Sequence, residues 1–338
     1  MPAHQRQLRI VLVRPDRGRD HQRQQVLGEG LEQAGHEIVA SAALAELLRR
    51  ARRIQQPDAV VVGPGRLDRF AARLRWPRSR IVVDLHDATV ESRRSRAAVR
   101  RADLVVVSTP RQAALLASVE RQNEVVLGPV GAPRAWFAAA ERQRSRLRPD
   151  QGTGPMRVIS FSGSARLADA TSVASVVGRL ADHYVEWTMV GADGEEHAVR
   201  AALGGRGKVT WIDPRAVDDL PHLVADHDVC LGTFGSADSG RHADVAVPPD
   251  LVQAAAAGCA IVTIATSSQR EALGDAAVFV PPGNPDAVAS RLAALADEPN
   301  ELARYRDAAT ALAARSFMPA RVVGELVDRL ADGPAVPF

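Results

Sequence analysis

Lysine is almost missing from this chain: of its 43 basic residues only Lys208 is a lysine. Aromatic side chains make up 4% of the 338 residues, and there are two cysteines, Cys230 and Cys259. Both cysteines sit in apolar runs (DVCLG and GCAIV), so buried thiols are expected. A disulfide framework or a CxxC metal site is excluded. No run approaches the roughly 18 uninterrupted apolar residues of a membrane-spanning helix. The opening MPAHQRQLRIVLVRP passes from charge straight into a short strand, without the apolar stretch of a signal peptide, so a cytoplasmic location is expected. There is no DxD at a plausible site and no His/Cys cluster with ligand spacing, so no metal and no cofactor are expected. The scarcity of aromatics beside basic clusters argues against nucleic acid held by base stacking. What remains is 46% hydrophobic and mainly aliphatic, a composition that buries well. At this length two domains are the natural division.

Charge is unevenly placed. Residues 1–150 hold 28 arginines and no lysine against 16 acidic residues, whereas the remainder holds 15 basic against 24 acidic. A codon bias toward arginine explains the missing lysines but not the difference in sign between the halves. The clusters RRARR (Arg49–Arg53) and RRSRAAVRR (Arg93–Arg101) have the spacing of solvated helix faces. The other reading is weak association with phosphate-bearing or anionic surfaces.

Short apolar segments alternate with helical ones almost from end to end, the pattern of parallel α/β sheets. Strands are expected at 8–13, 37–41, 58–62, 80–85, 104–108 and 124–127, then at 158–162, 185–190, 209–212, 229–232, 260–264 and 277–280. The unbroken Val/Ile/Leu character of RIVLV, AVVVG, IVVDL and LVVVS predicts a sheet covered on both faces. ERQRSRLRPDQGTGP (Glu141–Pro155) lacks apolar periodicity and reads as a linker. The expected organisation is two tandem Rossmann-like, doubly wound domains, residues 1–148 and 149–338. The tail from Asn300 to Leu330 reads as helical, broken near Phe317-Met318-Pro319. Such units place ligands outside the carboxyl ends of their strands.

Three runs in the second half carry a specific pattern: DVCLGTFG (Asp228–Gly235), VPPDLVQAAAAGCAIVT (Val247–Thr263) and REALGDAAVFVPPGNPDAVA (Arg270–Ala289), with Arg241 after the first. In order and spacing, residues 156–330 resemble the donor-binding domain of family-4 retaining glycosyltransferases. The first half matches more faintly, through GHEIV (Gly35–Val39), VDLHD (Val83–Asp87) and RADLVVVSTPRQ (Arg101–Gln112). The resemblance implies the GT-B architecture, with two Rossmann-like domains facing a cleft. It implies an acceptor-binding first domain and a second domain that binds a nucleotide diphosphate sugar. The terminal helix, about 319–331, would cross back to the first domain. A diphosphate is well held by backbone amides at glycine-rich turns and helix N-termini, together with an arginine. The candidates are Gly163, Ser164 and Arg166 after the strand at 158–162, and Gly191 after the strand at 185–190. Arg241 stands at a basic position that the family uses on the donor phosphates. Leu251 and Gln253 lie on the proline-led helix that carries donor contacts in relatives. Asp213 stands where relatives hold the nucleobase, and Glu271 matches an acidic residue of the family.

Two departures stand out. Counting from Pro248, this chain has Asp250 and Gln253 where relatives usually carry Lys and Glu, and the paired acids of the EX7E pattern fall on Val245 and Gln253. An amide at Gln253 still offers a donor and an acceptor to ribose hydroxyls. Asp250 reads as an acidic first-turn residue that caps the helix start and points away from the ligand. In the first half, the resemblance places His86 against the donor sugar as the leading catalytic candidate, with Asp87 ordering it or acting as a base. The alternative is a loop histidine paired with Asp84 or Asp87. The loop RPDRGRDHQRQQ (Arg14–Gln25), with Gly18, suits a small-molecule, glycan or anionic acceptor. Thr266–Gln269 offers hydroxyls and amides after a buried strand. The expected activity is metal-independent transfer of a sugar from a nucleotide diphosphate sugar to a hydroxyl, with retention. A catalytically silent nucleotide-sugar-binding partner subunit and a GT-B-fold epimerase are the alternatives.

Overall fold

The computed structural model describes residues 6–14, 20–50, 54–63, 72, 75–86, 92–100, 102–119, 124–145, 154–161, 170–191, 193–204, 209–214, 217, 219–234 and 244–332. The chain forms two compact units, Met1–Pro133 with Ser316–Phe338, and Arg134–Arg315.

The first unit contains β1 (Arg9–Arg14), α1 (Asp20–Gln33), β2 (Glu37–Ala43), α2 (Leu44–Arg50), β3 (Ala59–Val62) and β4 (Arg80–His86). It continues with α3 (Arg93–Val99), β5 (Leu104–Val107), α4 (Pro110–Val119) and β6 (Glu124–Leu127). Its sheet is parallel, in the order β2-β1-β3-β4-β5-β6. Alternate residues of each strand feed two cores, one per face. Val11, Val60, Val83 and Val105 pack on one side with Leu47, Trp76 and Leu116. Ile10, Val61, Val82 and Val106 pack on the other with Leu27 and Leu31 of α1. This double burial is why the strands read as continuous apolar runs rather than alternating ones.

The second unit opens with α5 (Arg134–Ser145), β7 (Met156–Phe161), α6 (Ala170–Arg179), β8 (Val185–Val190), α7 (Asp193–Leu203), β9 (Val209–Ile212), α8 (Leu220–Ala225) and β10 (Val229–Leu231). It closes with α9 (Pro249–Ala256), β11 (Ala260–Ile264), α10 (Ser267–Leu273), β12 (Ala277–Val280), α11 (Pro285–Asp297) and α12 (Pro299–Leu312). Its parallel sheet runs β12-β11-β10-β7-β8-β9. Numbered from β7, that is the 3-2-1-4-5-6 order of doubly wound nucleotide-binding sheets.

The chain then returns to the first unit through α13 (Pro319–Val322) and α14 (Gly324–Asp332). Pro319 begins α13 directly after Met318, because a proline cannot continue the preceding helix. Leu326, Val327 and Leu330 of α14 are buried in the first unit's core. Gly30 of α1 is required here: a Cβ at that position would collide with the carbonyl oxygen of Pro319 and lie 2.9 Å from Val323 Cγ1.

The domain boundary differs from the sequence expectation. The second unit starts at Arg134, ahead of the expected 148/149 boundary, and ends at Arg315; residues from Ser316 on belong to the first unit, to which a terminal helix at about 319–331 was expected to cross back. The first third of the expected linker, Glu141–Ser145, is helical. Helix α5 is anchored by Trp136, Ala139 and Ala140, buried at i, i+3 and i+4.

Each unit encloses a buried histidine. His36 accepts from the amide of Leu8 (3.3 Å). His227 donates from Nδ1 to the Leu223 carbonyl (2.8 Å) and accepts at Nε2 from Thr188 Oγ1 (3.0 Å). Burial lowers both imidazoles below their ordinary value, against the opposing pull of Asp58 on His36. At His227 the Leu223 hydrogen bond, Asp228 and Asp226 oppose burial, and Arg157 reinforces it. The unfolded chain therefore takes up these protons first, at about pH 6.5. Stability is full above that value, falls as the pH drops through it, and levels off below the folded-state values. Urea midpoints should thus be lower at pH 5.5 than at pH 7.5. The gap should narrow in His227→Gln, and an unchanged gap would assign the acid sensitivity elsewhere.

Candidate functional site

In the second unit the chain reverses direction across the sheet between β7 and β10, and the carboxyl ends of these strands frame the crevice where such sheets bind ligands. β7 ends at Phe161 and β10 at Leu231. Gly163, Ser164 and Arg166 follow the first strand and Arg241 the second; all four lie outside the described residues. The backbone around the crevice is tightly packed. A Cβ on Gly232, just past β10, would stand 2.6 Å from Thr263 Oγ1 and 2.7 Å from Leu251 Cδ2. A glycine at 232 is what lets α9 and β11 close on the end of β10.

Two candidates in this unit are spent on the fold. The Gly191 amide donates to Ile212 O (3.0 Å), and its carbonyl accepts from Trp211 Nε1 (3.0 Å). That amide is thus committed to holding β8 against β9 and is not a phosphate donor. The Leu251 side chain is buried, and its amide donates to Pro248 O (3.2 Å), so it supports α9 from within the core. Gln253, one helical step beyond, is buried as well at 2% exposure. Asp213 follows β9 and is half-buried.

Glu271 is exposed in the second half of α10. It lines a groove of about 330 Å³ with Asp275, Ala308, Leu312 and Arg315. Four residues of helix carry it about 6 Å down from the start of α10, away from the carboxyl end of β11. Asp250 does not cap α9: the cap position is Pro248, with no side-chain hydrogen bond, and Asp250 lies in the first turn. There its charge suits the positive end of the helix. The Cys230 thiol on β10 is raised by burial first, then by Cys259 and Asp250.

The carboxyl end of β11 carries a network that was only partly legible in the sequence. Thr263 Oγ1 donates to Gln269 Oε1 (2.9 Å), and the Gln269 amide donates to Thr266 Oγ1 (3.2 Å), capping α10. Asp244 accepts from the Ser267 amide at Oδ1 (3.1 Å) and from Ser268 Oγ at its carbonyl (2.9 Å). Asp244 precedes Val245, one of the two positions on which the EX7E acids would fall, and it accepts hydrogen bonds from the start of α10.

In the first unit, His86 ends β4, and its backbone takes φ 39, the one positive value among described non-glycine residues. Asp87 lies outside the described residues. Asp84, two positions earlier, does not pair with His86. It receives a two-pronged contact from Arg23 of α1, Nε to Oδ2 at 2.9 Å and Nη2 to Oδ1 at 3.2 Å. Arg23 also donates to the carbonyls of Pro129 (2.8 Å) and Gly128 (2.9 Å). Ser108, at the end of β5, donates from Oγ to the His86 carbonyl, and its amide donates to Gln112 Oε1 (2.8 Å). Arg23, Asp84, Ser108, Thr109 and Gln112 are all buried. None of Arg23, Ser108 or Gln112 was singled out by sequence. Gln112 had a signal, because Thr109-Pro110-Arg111-Gln112 has the form of a helix capping box. No described residues group as a metal site. No described helix is long and apolar enough to cross a membrane.

Residues 157–298 match the family model described as glycosyl transferases group 1. No curated protein matches the chain in sequence. Among solved structures, a glycosyltransferase from Rickettsia africae ESF-5 aligns with a TM-score of 0.67 at 13% identity, over 97% of this chain and 99% of that one. Sucrose-phosphate synthase from Thermosynechococcus elongatus aligns at 0.68 with 16% identity, over 96% and 99%. Anabaena HepE in complex with UDP and glucose aligns at 0.66 with 16% identity, over 97% and 100%. The chain thus has the GT-B fold, and its residues 157–298 carry the sequence pattern of the group 1 glycosyl transferases.

Proposed function

We propose that this protein transfers a sugar, of the hexose type, from a nucleotide diphosphate sugar to a hydroxyl acceptor, with retention and without a metal ion. The observation that carries this most directly is topological. The two strands at the reversal point of the second sheet are the strands followed by the short turn sequence Gly163-Ser164-Ala165-Arg166 and by Arg241. The second unit is therefore assigned the donor and the first the acceptor. The positive end of α9 and Arg241 stabilise the departing diphosphate, the task a metal performs in other architectures. Solved complexes of HepE with UDP and with UDP-glucose, and of Staphylococcus aureus MnaA with UDP, support a nucleotide diphosphate as the ligand class.

Incubating the protein with UDP-, GDP- and ADP-activated hexoses, with and without hydroxyl acceptors, and following the released nucleotide tests this reading. Accumulating nucleoside diphosphate and a glycosylated acceptor are expected. A silent binding subunit is the second reading, favoured by Asp250 in the first turn of α9 in place of a cation. It is the result if calorimetry shows donor binding and no donor or acceptor combination turns over. Arg241→Ala should weaken nucleoside diphosphate binding by about 1.5–3 kcal/mol, the worth of a hydrogen bond to a charged group. Unchanged affinity in a folded variant removes Arg241 from the site.

A further inference from the structure

We infer that Ser108 and Gln112, braced by the Arg23–Asp84 pair, are positioning residues that hold His86 in the conformation it uses at the site. The function of this frame rests on the reading of His86 as a donor-sugar contact, but its geometry does not.

Strands β4 and β5 slip out of register between Asp84, paired with Val106, and His86, paired with Val107. Two residues of β4 thus occupy one step of the ladder, a bulge that re-aims the side chain following it. His86 then takes a left-handed backbone that an L-residue adopts only where its surroundings impose it. Two separate clamps impose it here. Before the bulge, Arg23 fixes the Asp84 carboxylate with two hydrogen bonds and ties it to the Gly128 and Pro129 carbonyls. Beyond the bulge, the Ser108 hydroxyl holds the carbonyl of His86 itself.

The hydroxyl is aimed in turn. A capping-box glutamine ordinarily reaches back to the amide of the cap residue. Gln112 caps one residue further out: its own amide donates to Thr109 Oγ1 (3.1 Å), while its Oε1 takes the amide of Ser108. Ser108, Thr109 and Gln112 are 7%, 3% and 2% exposed, so water does not compete for these bonds. The side chain these clamps orient is half-buried, at the carboxyl end of β4.

The test uses full-length protein carrying ¹³C-labelled histidine, with the His86 signal assigned as the one lost in His86→Gln. Ser108→Ala should move and broaden the His86 signal while the other eight histidines stay in place, and Ser108→Thr, which keeps the hydroxyl, should restore it. If Ser108→Ala does not fold, Gln112→Met, which removes the acceptor for the Ser108 amide, is read in the same way. An unmoved His86 signal in a folded variant overturns the proposal. So does a general shift of many histidines with a fall in melting temperature, because Ser108 is then only a fold residue.

The second readout is UDP released from UDP-glucose. Ser108→Ala should lower kcat about ten- to hundredfold with KM unchanged, the effect of a small misplacement, and should add nothing in the His86→Gln background. If His86→Gln keeps full turnover while the spectral result holds, the sugar-contact role of His86 fails and the positioning frame stands. The spectra decide the frame even where UDP-glucose is not turned over.

Discussion

Replacing Arg23 by methionine should lower the unfolding free energy by about 3–5 kcal/mol, the cost of removing one member of a buried ion pair. Both side chains of the pair are 3% exposed. Methionine fills much of the volume but leaves the Asp84 carboxylate in a dry site with no counter-charge. The loss also frees the Gly128 and Pro129 carbonyls, each of which accepts from Arg23. That last point separates this site from a simple pair. In Arg23→Met/Asp84→Leu the stranded charge is gone, so most of the loss should return. The two carbonyls still lack donors, at about 1–3 kcal/mol for each that water cannot reach, so the recovery should be incomplete. Urea unfolding of the single and double variants measures both quantities. A loss below about 1 kcal/mol in Arg23→Met, the size seen for solvated surface pairs, would falsify the dry site.

The central strands were legible because runs such as AVVV of β3, LVVV of β5 and AIVTI of β11 are buried on both faces. β6, β8, β9, β11 and β12 match their expected spans, and the others shift by one or two residues. Helix α5 was not legible past Ala140. Its buried residues, Trp136, Ala139 and Ala140, all come early, and of the following ERQRS only Gln143 is partly buried. Arg23 was hidden for another reason. It sits in DHQRQQ among many arginines, and the partner that distinguishes it, Asp84, is 61 residues away. Local patterns carry no trace of such a pairing. Asp250, expected as an acidic first-turn residue that caps the start of α9, lies in the first turn but not at the cap. Pro248 takes the cap position instead, followed by Pro249 at the first helical position, which leaves Asp250 inside the first turn. Gly191 shows the limit of motif reading: a glycine after a strand looks like a phosphate turn until its amide is found bonded across the sheet.

His86→Ala should reduce turnover by about 10²–10³-fold, the usual loss when a preorganised polar contact to the reacting centre is removed. Nucleoside diphosphate affinity should stay within about twofold, since His86 belongs to the first sheet and the phosphate candidates follow strands of the second. Stability distinguishes this residue from an ordinary loop histidine. A positive φ burdens any L-residue by roughly 1–2 kcal/mol, and alanine inherits that strain in full. Glycine does not, although it gives back about 0.5–1 kcal/mol through the freer unfolded chain. His86→Gly should therefore be at least as stable as His86→Ala, reversing the usual order of the two residues, while being equally inactive. Melting temperatures, calorimetric titration with UDP and turnover on the two variants test the three statements separately. Glycine clearly less stable than alanine would mean that the left-handed backbone relaxes once the imidazole is gone, so that the side chain and not the Ser108 clamp imposes it. Full turnover in both variants would leave His86 as a residue of the β4–β5 bulge with no part in catalysis.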